Sequence, residues 1–190
     1  MNIGVIGFAG SGKDFIAEYM IKRYGFTRYA FADNVKLVAE TWFPDLYGKD
    51  GEKPRALLQA IGMLFREIDE DVWIKSMFTD VDSKRERDIK SGYRVENVIV
   101  TDCRLPNEYE ALKERGFIFI QIDVDEKTRL QRMRERGDIF SEKDMKHHTE
   151  QHYSEFKCDY YIFNQGSKEL AYAQVDGIVE RLIELRDKEV

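Results

Sequence analysis

Residues 7–14, GFAGSGKD, gather Gly7, Gly10 and Gly12, then Lys13 and Asp14, into one short stretch. The pattern G-x-x-x-x-G-K suits the cradling of phosphate groups. Glycines let successive backbone N–H groups converge on phosphate oxygens, at a helix start whose dipole favours an anion. Lys13 would neutralise charge on β- and γ-phosphates. The pattern ordinarily ends in a Ser or Thr whose hydroxyl meets magnesium, and here Asp14 stands instead. A carboxylate is a hard oxygen donor. It can hold magnesium directly or through one of the waters that the ion keeps.

Other residues could serve the same chemistry. Asp102 follows the apolar run VENVIV, where a magnesium-ordering carboxylate belongs in such folds, or it caps the next helix. Arg104, two residues on, could meet a phosphate with both arms of its guanidinium. Over residues 55–66, Leu57, Leu58, Ile61, Leu64 and Phe65 share one helical face. Arg55, Gln59, Gly62 and Arg66 share another, which fits a phosphorylated small molecule or a solvated surface. Trp73 could stack on a base or lie in the core. In DEKTRLQRMRERGD, Arg129, Arg132 and Arg136 fall on one arc, as expected of a closing lid that neutralises a moving phosphoryl group. His148 and His152 stand four apart, but no third ligand at suitable spacing supports zinc.

The elements that must position these residues alternate. Strands are expected at 2–6, 27–32, 95–102, 117–124 and 158–164. Helices are expected at 13–24, from an Asp33 cap to Trp42, at 55–66, 71–81, 106–115, 126–136 and 168–187. Ile16 and Met20 mark the core face of the first helix, with Phe15 and Tyr19. Ala171, Val175, Ile178, Leu182 and Leu185 mark that of the last. The charged stretch 83–92 reads as exposed and flexible. Alternation of this kind predicts a parallel sheet covered on both faces, with ligands at the carboxyl ends of its strands.

Bulk properties narrow the function classes. The chain has 190 residues, enough for one domain with a real core, and a net charge of −6. That balance argues against stable nucleic-acid binding. No apolar run is long enough to span a membrane, and no signal peptide is evident. Cys103 and Cys158 form neither a disulfide framework nor a metal spacing, which fits reduced thiols in the cytoplasm.

In order along the chain, SGKDF (11–15), FADNVK (31–36), RALLQAIG (55–62), DVWIK (71–75), VTDCRLPNE (100–108), HHTE (147–150) and NQGSKEL (164–170) resemble the phage-type deoxynucleoside monophosphate kinases. The Lys-Asp ending of the loop also resembles that of phosphomevalonate kinases. The resemblance covers nearly the whole chain. It implies a three-layer α/β P-loop kinase fold: a five-stranded parallel sheet flanked by helices, a substrate-binding helical region near 33–90 and a lid near 126–153. It implies ATP as phosphoryl donor, Mg²⁺, and a (deoxy)nucleoside monophosphate as acceptor. By match, Gly10, Ser11, Gly12, Lys13, Asp14 and Phe15 would hold the ATP phosphates and metal; Asp102, from its place after the apolar strand, is expected as the second metal carboxylate. Asn164, Gly166 and Ser167 would border the adenine. Asp33, Lys36, Arg55, Gln59, Arg66, Trp73, Asp102, Arg104, His147 and Glu150 would surround the acceptor. The sequence departs from the family at Asn34-Val35, where a proline commonly stands. The resemblance leaves base preference and self-association into a homodimer open. The competing readings are a kinase of dephospho-coenzyme A or phosphomevalonate type, and a nucleotide-binding regulator without turnover.

Overall fold

The computed structural model describes residues 1–47, 54–93, 95–135, 153 and 155–188. Its elements alternate as expected: β1 (Asn2–Ile6), α1 (Lys13–Tyr24), β2 (Phe26–Tyr29), α2 (Phe31–Trp42), α3 (Arg55–Ile68) and α4 (Val72–Lys90) come first. Then follow β3 (Asn97–Val100), α5 (Pro106–Glu114), β4 (Ile118–Asp123), α6 (Glu126–Glu135), β5 (Tyr160–Phe163) and α7 (Lys168–Lys188). The five strands form one parallel sheet in the order β2-β3-β1-β4-β5. The chain divides into two compact units, one of residues 1–28 and 97–190, the other of residues 29–96.

In the first unit, strand side chains alternate between two covered faces. Ile3, Val5, Ile120 and Ile122 point to one face, where Ile16 and Met20 of α1 and Val175 and Val179 of α7 bury against them. Each such side chain contributes roughly 1.5–3 kcal/mol on leaving water. Phe119 points the other way and packs on Tyr109 of α5, with ring centroids 4.4 Å apart. Gly4 makes room for that ring, because a Cβ there would stand 2.9 Å from it. The parallel register sets Gly4 beside both Val100 and Phe119. The carboxyl ends of β1, β3, β4 and β5 therefore open along one edge.

The second unit is helical, and here the expectations need correction. Strand β2 ends at Tyr29, and α2 begins at Phe31, whose buried ring belongs to the helix. Asp33 does not cap that helix. Ala30 holds the cap position, the Asp33 N–H donates to the Ala30 carbonyl, and the Asp33 carboxylate pairs with Lys36 at 2.7 Å. Helix α3 continues to Ile68, and Leu64, expected in the core, is 57% exposed.

The largest departure is at 83–92. Helix α4 runs through this stretch to Lys90. Met77, Phe78 and Val81 bury its first half. In its second half Asp88 is buried and accepts from Lys84 at 2.7 and 2.9 Å, and Glu86 faces Lys90 one turn on. Spacing of opposite charges by four residues supports a helix where apolar periodicity is weak.

Candidate functional site

Strand β1 stops where Gly7 begins the loop, and α1 starts at Lys13 with Gly12 in the cap position. Gly12 has φ 95°, a left-handed conformation that a side chain would resist. No side chain caps this helix start, so its first N–H groups face the loop. The Ser11 hydroxyl is buried and has no hydrogen-bond partner among the described residues. A Cβ at Gly7 would stand 2.7 Å from that hydroxyl, so the glycine provides its space. An orphaned buried hydroxyl beside helix-start amides is what a phosphate oxygen would satisfy.

Lys13 curls over the same loop. Its ammonium donates to the carbonyls of Gly7 and Phe8, the latter at 3.1 Å. It also lies 5.9 Å from the centre of the Tyr153 ring. The charge is thereby fixed at the mouth of the loop. Asp14, in the first turn of α1, is exposed and favourably placed at a helix N-terminus. Phe15 stacks on Tyr172 of α7 with centroids 5.0 Å apart.

Helix α6 packs directly on the loop. Its start is capped by Asp125, which accepts from the Thr128 N–H and hydroxyl at 2.8 and 2.7 Å. Those bonds hold the Asp125 carboxyl below its ordinary pKa. Arg129 donates to the Ala9 carbonyl at 3.0 Å and lies 4.7 Å over the Phe8 ring. Arg132 donates to the Asn164 carbonyl at 2.8 Å. Met133 is buried, and a Cβ at Gly10 would come within 3.0 Å of both its side chain and the Arg129 carbonyl. Of the three arginines expected on a lid, Arg129 and Arg132 are thus tied to the loop or its neighbour, while Arg136 lies outside the described residues.

Asp102 lies two residues beyond β3. Extending the register of Gly4 with Val100 sets Asp102 level with Ile6, beside the root of the loop. The start of α5 is served by Glu108, which is buried and accepts from the N–H groups of Arg104 and Leu105 at 2.8 and 3.0 Å. The Arg104 side chain is exposed. Burial, with the charges of Glu108 and Asp102, pushes the Cys103 thiol well above its ordinary pKa, so it stays protonated and inert. Burial likewise raises Cys158 to about 11. After β5, Gly166 and Ser167 are exposed, and the Ser167 hydroxyl accepts from the Leu170 N–H at 3.4 Å.

In the helical unit, α3 carries Arg55 and Gln59 exposed, with Gly62 buried and Arg66 half-buried on the same ridge. The Gly62 carbonyl accepts from Arg66 at 3.2 Å and from the Trp73 indole N–H at 3.1 Å. Trp73 is 3% exposed and packs on Phe65, so of the two readings of this residue its surroundings are those of a core tryptophan. Lys36 and Asp33 pair with each other one turn apart on α2. His147, Glu150, His148 and His152 lie outside the described residues.

Sequence reasoning missed Phe8, Tyr153 and Met133. Phe8 meets the Tyr153 ring edge-on, with centroids 5.3 Å apart, and takes Arg129 on its face. Position 8 is unconstrained in the loop pattern and its cationic partner Arg129 lies far away in sequence, so no local signal marked it.

A family model described as an AAA domain matches residues 3–156. A protein of Acanthamoeba polyphaga mimivirus named "Putative deoxynucleotide monophosphate kinase" is 31% identical over 140 residues, covering 64% of this chain and 72% of that one. "Uncharacterized protein ORF77" of Ictalurid herpesvirus 1 (strain Auburn) is 37% identical over 112 residues, or 58% of this chain and 45% of that protein. Among solved structures, shikimate kinase from Aquifex aeolicus superposes with a TM-score of 0.54 at 19% identity, covering 96% of both chains. At that identity the likeness shows the fold alone. The strand order, the glycine loop with its lysine and the two family-level matches agree: the chain belongs to the AAA-domain family and, within it, to the P-loop nucleotide kinases.

Proposed function

We propose that this P-loop kinase passes the γ-phosphoryl group of ATP to a (deoxy)nucleoside 5′-monophosphate, giving ADP and the nucleoside diphosphate, in the cytoplasm. The observation that carries the reading is the loop itself: a buried, unpartnered hydroxyl at Ser11 beside uncapped helix-start amides and a fixed ammonium. The name of the mimivirus relative supports the acceptor class.

The reaction asks little covalent chemistry of the protein. An oxygen of the acceptor phosphate forms a bond to the γ-phosphorus as the bond to the β–γ bridging oxygen breaks. That electron pair leaves on ADP. The attacking oxygen is already anionic, so no side-chain base is required. Gly10 to Phe15 would bind and orient the donor. Lys13, Arg104, Arg129, Arg132 and Arg136 would offset charge on the transferred group. Gly166 and Ser167, exposed after β5, would border the base of ATP. Asp33, Lys36, Arg55, Gln59 and Arg66 of the helical unit would recognise the acceptor, with Trp73 supporting Arg66 through the Gly62 carbonyl that both bond.

Among the described residues no three metal-ligating side chains cluster, which suits magnesium, an ion that keeps waters and takes phosphate oxygens as ligands. Asp14 and Asp102 are the carboxylates that would hold it, and bound there it would neutralise phosphate charge.

The test is ADP release across deoxy- and ribonucleoside monophosphates, dephospho-coenzyme A, phosphomevalonate and shikimate. Turnover with at least one nucleoside monophosphate is expected. Turnover confined to a non-nucleotide acceptor would replace the substrate assignment. Tight ATP binding without product from any acceptor would identify a regulator.

A further inference from the structure

Asn164 is the residue that the resemblance sets beside the adenine. Its bonding in the structure is with the protein, and it joins three elements. It follows β5 directly and is 6% exposed. Its backbone N–H donates to the Asp123 carbonyl at the end of β4, at 2.8 Å. Its side-chain amide donates to the Ser11 carbonyl in the phosphate loop, also at 2.8 Å. Its own carbonyl accepts from Arg132 of α6 at 2.8 Å.

The side-chain bond has a geometric consequence. The peptide joining Ser11 to Gly12 is trans. In a trans peptide the carbonyl oxygen and the following N–H point in opposite directions. Holding the Ser11 carbonyl toward Asn164 therefore turns the Gly12 N–H away from it. A loop that binds anions through its amides needs each carbonyl turned outward and kept there. A buried carbonyl with no donor would instead favour a rotated peptide. Gly12 is adapted to the same contact: a Cβ on it would stand 2.4 Å from the Asn164 amide nitrogen. The close approach of Asn164 and the left-handed backbone of Gly12 thus require glycine for two separate reasons.

We propose that Asn164 is a positioning residue for the phosphate loop: its amide fixes the Ser11–Gly12 peptide so that the Gly12 N–H is available to phosphate, and its carbonyl anchors Arg132. The proposal rests on reading the loop as a triphosphate site, and it concerns binding, so it can be judged without any acceptor.

The experiment compares ATP with inorganic tripolyphosphate, which has the phosphates and lacks the base. Binding of each to the full chain is measured by calorimetry for wild type, Asn164→Ala and Asn164→Asp, with thermal melts alongside. Asn164→Ala is expected to weaken both ligands about tenfold. Asn164→Asp, which sets a carboxylate against a carbonyl, is expected to weaken both by more. Equal loss for the two ligands assigns the effect to the loop. Loss for ATP with tripolyphosphate unchanged would overturn the proposal in favour of a contact to the base. Unchanged binding of both in Asn164→Ala, even with a lowered melting temperature, would overturn it in favour of a packing role. If wild type bound neither ligand, the reading of the loop would fail first, an outcome separate from either of these. If Asn164→Asp does not fold, the alanine variant and a serine variant carry the same comparison.

Discussion

The two units hold their candidate functional groups by different means. In the unit of residues 1–28 and 97–190, cationic and amide side chains bond to backbone carbonyls far away in sequence: Arg129 to Ala9, Arg132 to Asn164, Asn164 to Ser11. In the unit of residues 29–96, side chains of one helix pair with each other a turn apart: Lys36 with Asp33, Lys84 with Asp88. A backbone carbonyl is present whatever the residue, so contacts of the first kind survive sequence change around them. Side-chain pairs on one helix can be exchanged a residue at a time. Under the proposed function, the difference would suit a fixed donor, ATP, in the first unit and an adjustable acceptor in the second.

The largest effect should come from Lys13→Ala. Removing one electrostatic stabiliser of a developing charge costs roughly 10²–10³ in rate. Initial-rate measurement of ADP formation with the best acceptor should find that loss. A rate near wild type would break the assignment of the first unit as the catalytic one. Gly12→Ala should follow. It forces a Cβ to 2.4 Å from Asn164 at φ 95°, so we expect ATP affinity to fall at least tenfold and the melting temperature to drop. An unperturbed melt with intact affinity would mean that the loop is more pliant than its bonding implies.

Trp73→Phe sharpens the comparison from the other side. It keeps a ring against Phe65 but removes the donor to the Gly62 carbonyl, at a cost of about 0.5–1.5 kcal/mol. Because Arg66 shares that carbonyl, the KM for the acceptor should rise a few-fold while the KM for ATP stays fixed. A change in the KM for ATP alone would contradict the division of labour.

Legibility from sequence followed the same divide. The loop, its helix and the alternating elements could be read because glycine spacing and β-branched runs are local signals with few competing causes. The partners of the loop could not. Asn164 lies 153 positions from Ser11, and nothing local marks an asparagine as bonded to a distant carbonyl. In the helical unit the misreadings had physical reasons. The run TRYAFA has strand-like composition, but burial of Phe31 in α2 decided where the strand stopped. The stretch 83–92 lacks apolar periodicity, and its helix rests on Lys84–Asp88 and Glu86–Lys90 pairs. Leu64 has helical spacing from Leu57 and Ile61, yet it lies on a side of α3 that its own unit leaves exposed.

The length of α4 also bears on digestion. Nineteen residues of continuous helix make a rod of roughly 28 Å. Lys75, Lys84, Arg85, Arg87 and Lys90 give trypsin five potential cleavage points on it. A protease must pull several residues into an extended strand before it can cut, and here that means unravelling turns pinned by the buried Asp88. Brief tryptic treatment of the native protein should leave this highly basic and acidic segment whole, whereas a peptide of the same residues alone should be cut within the first sampling time.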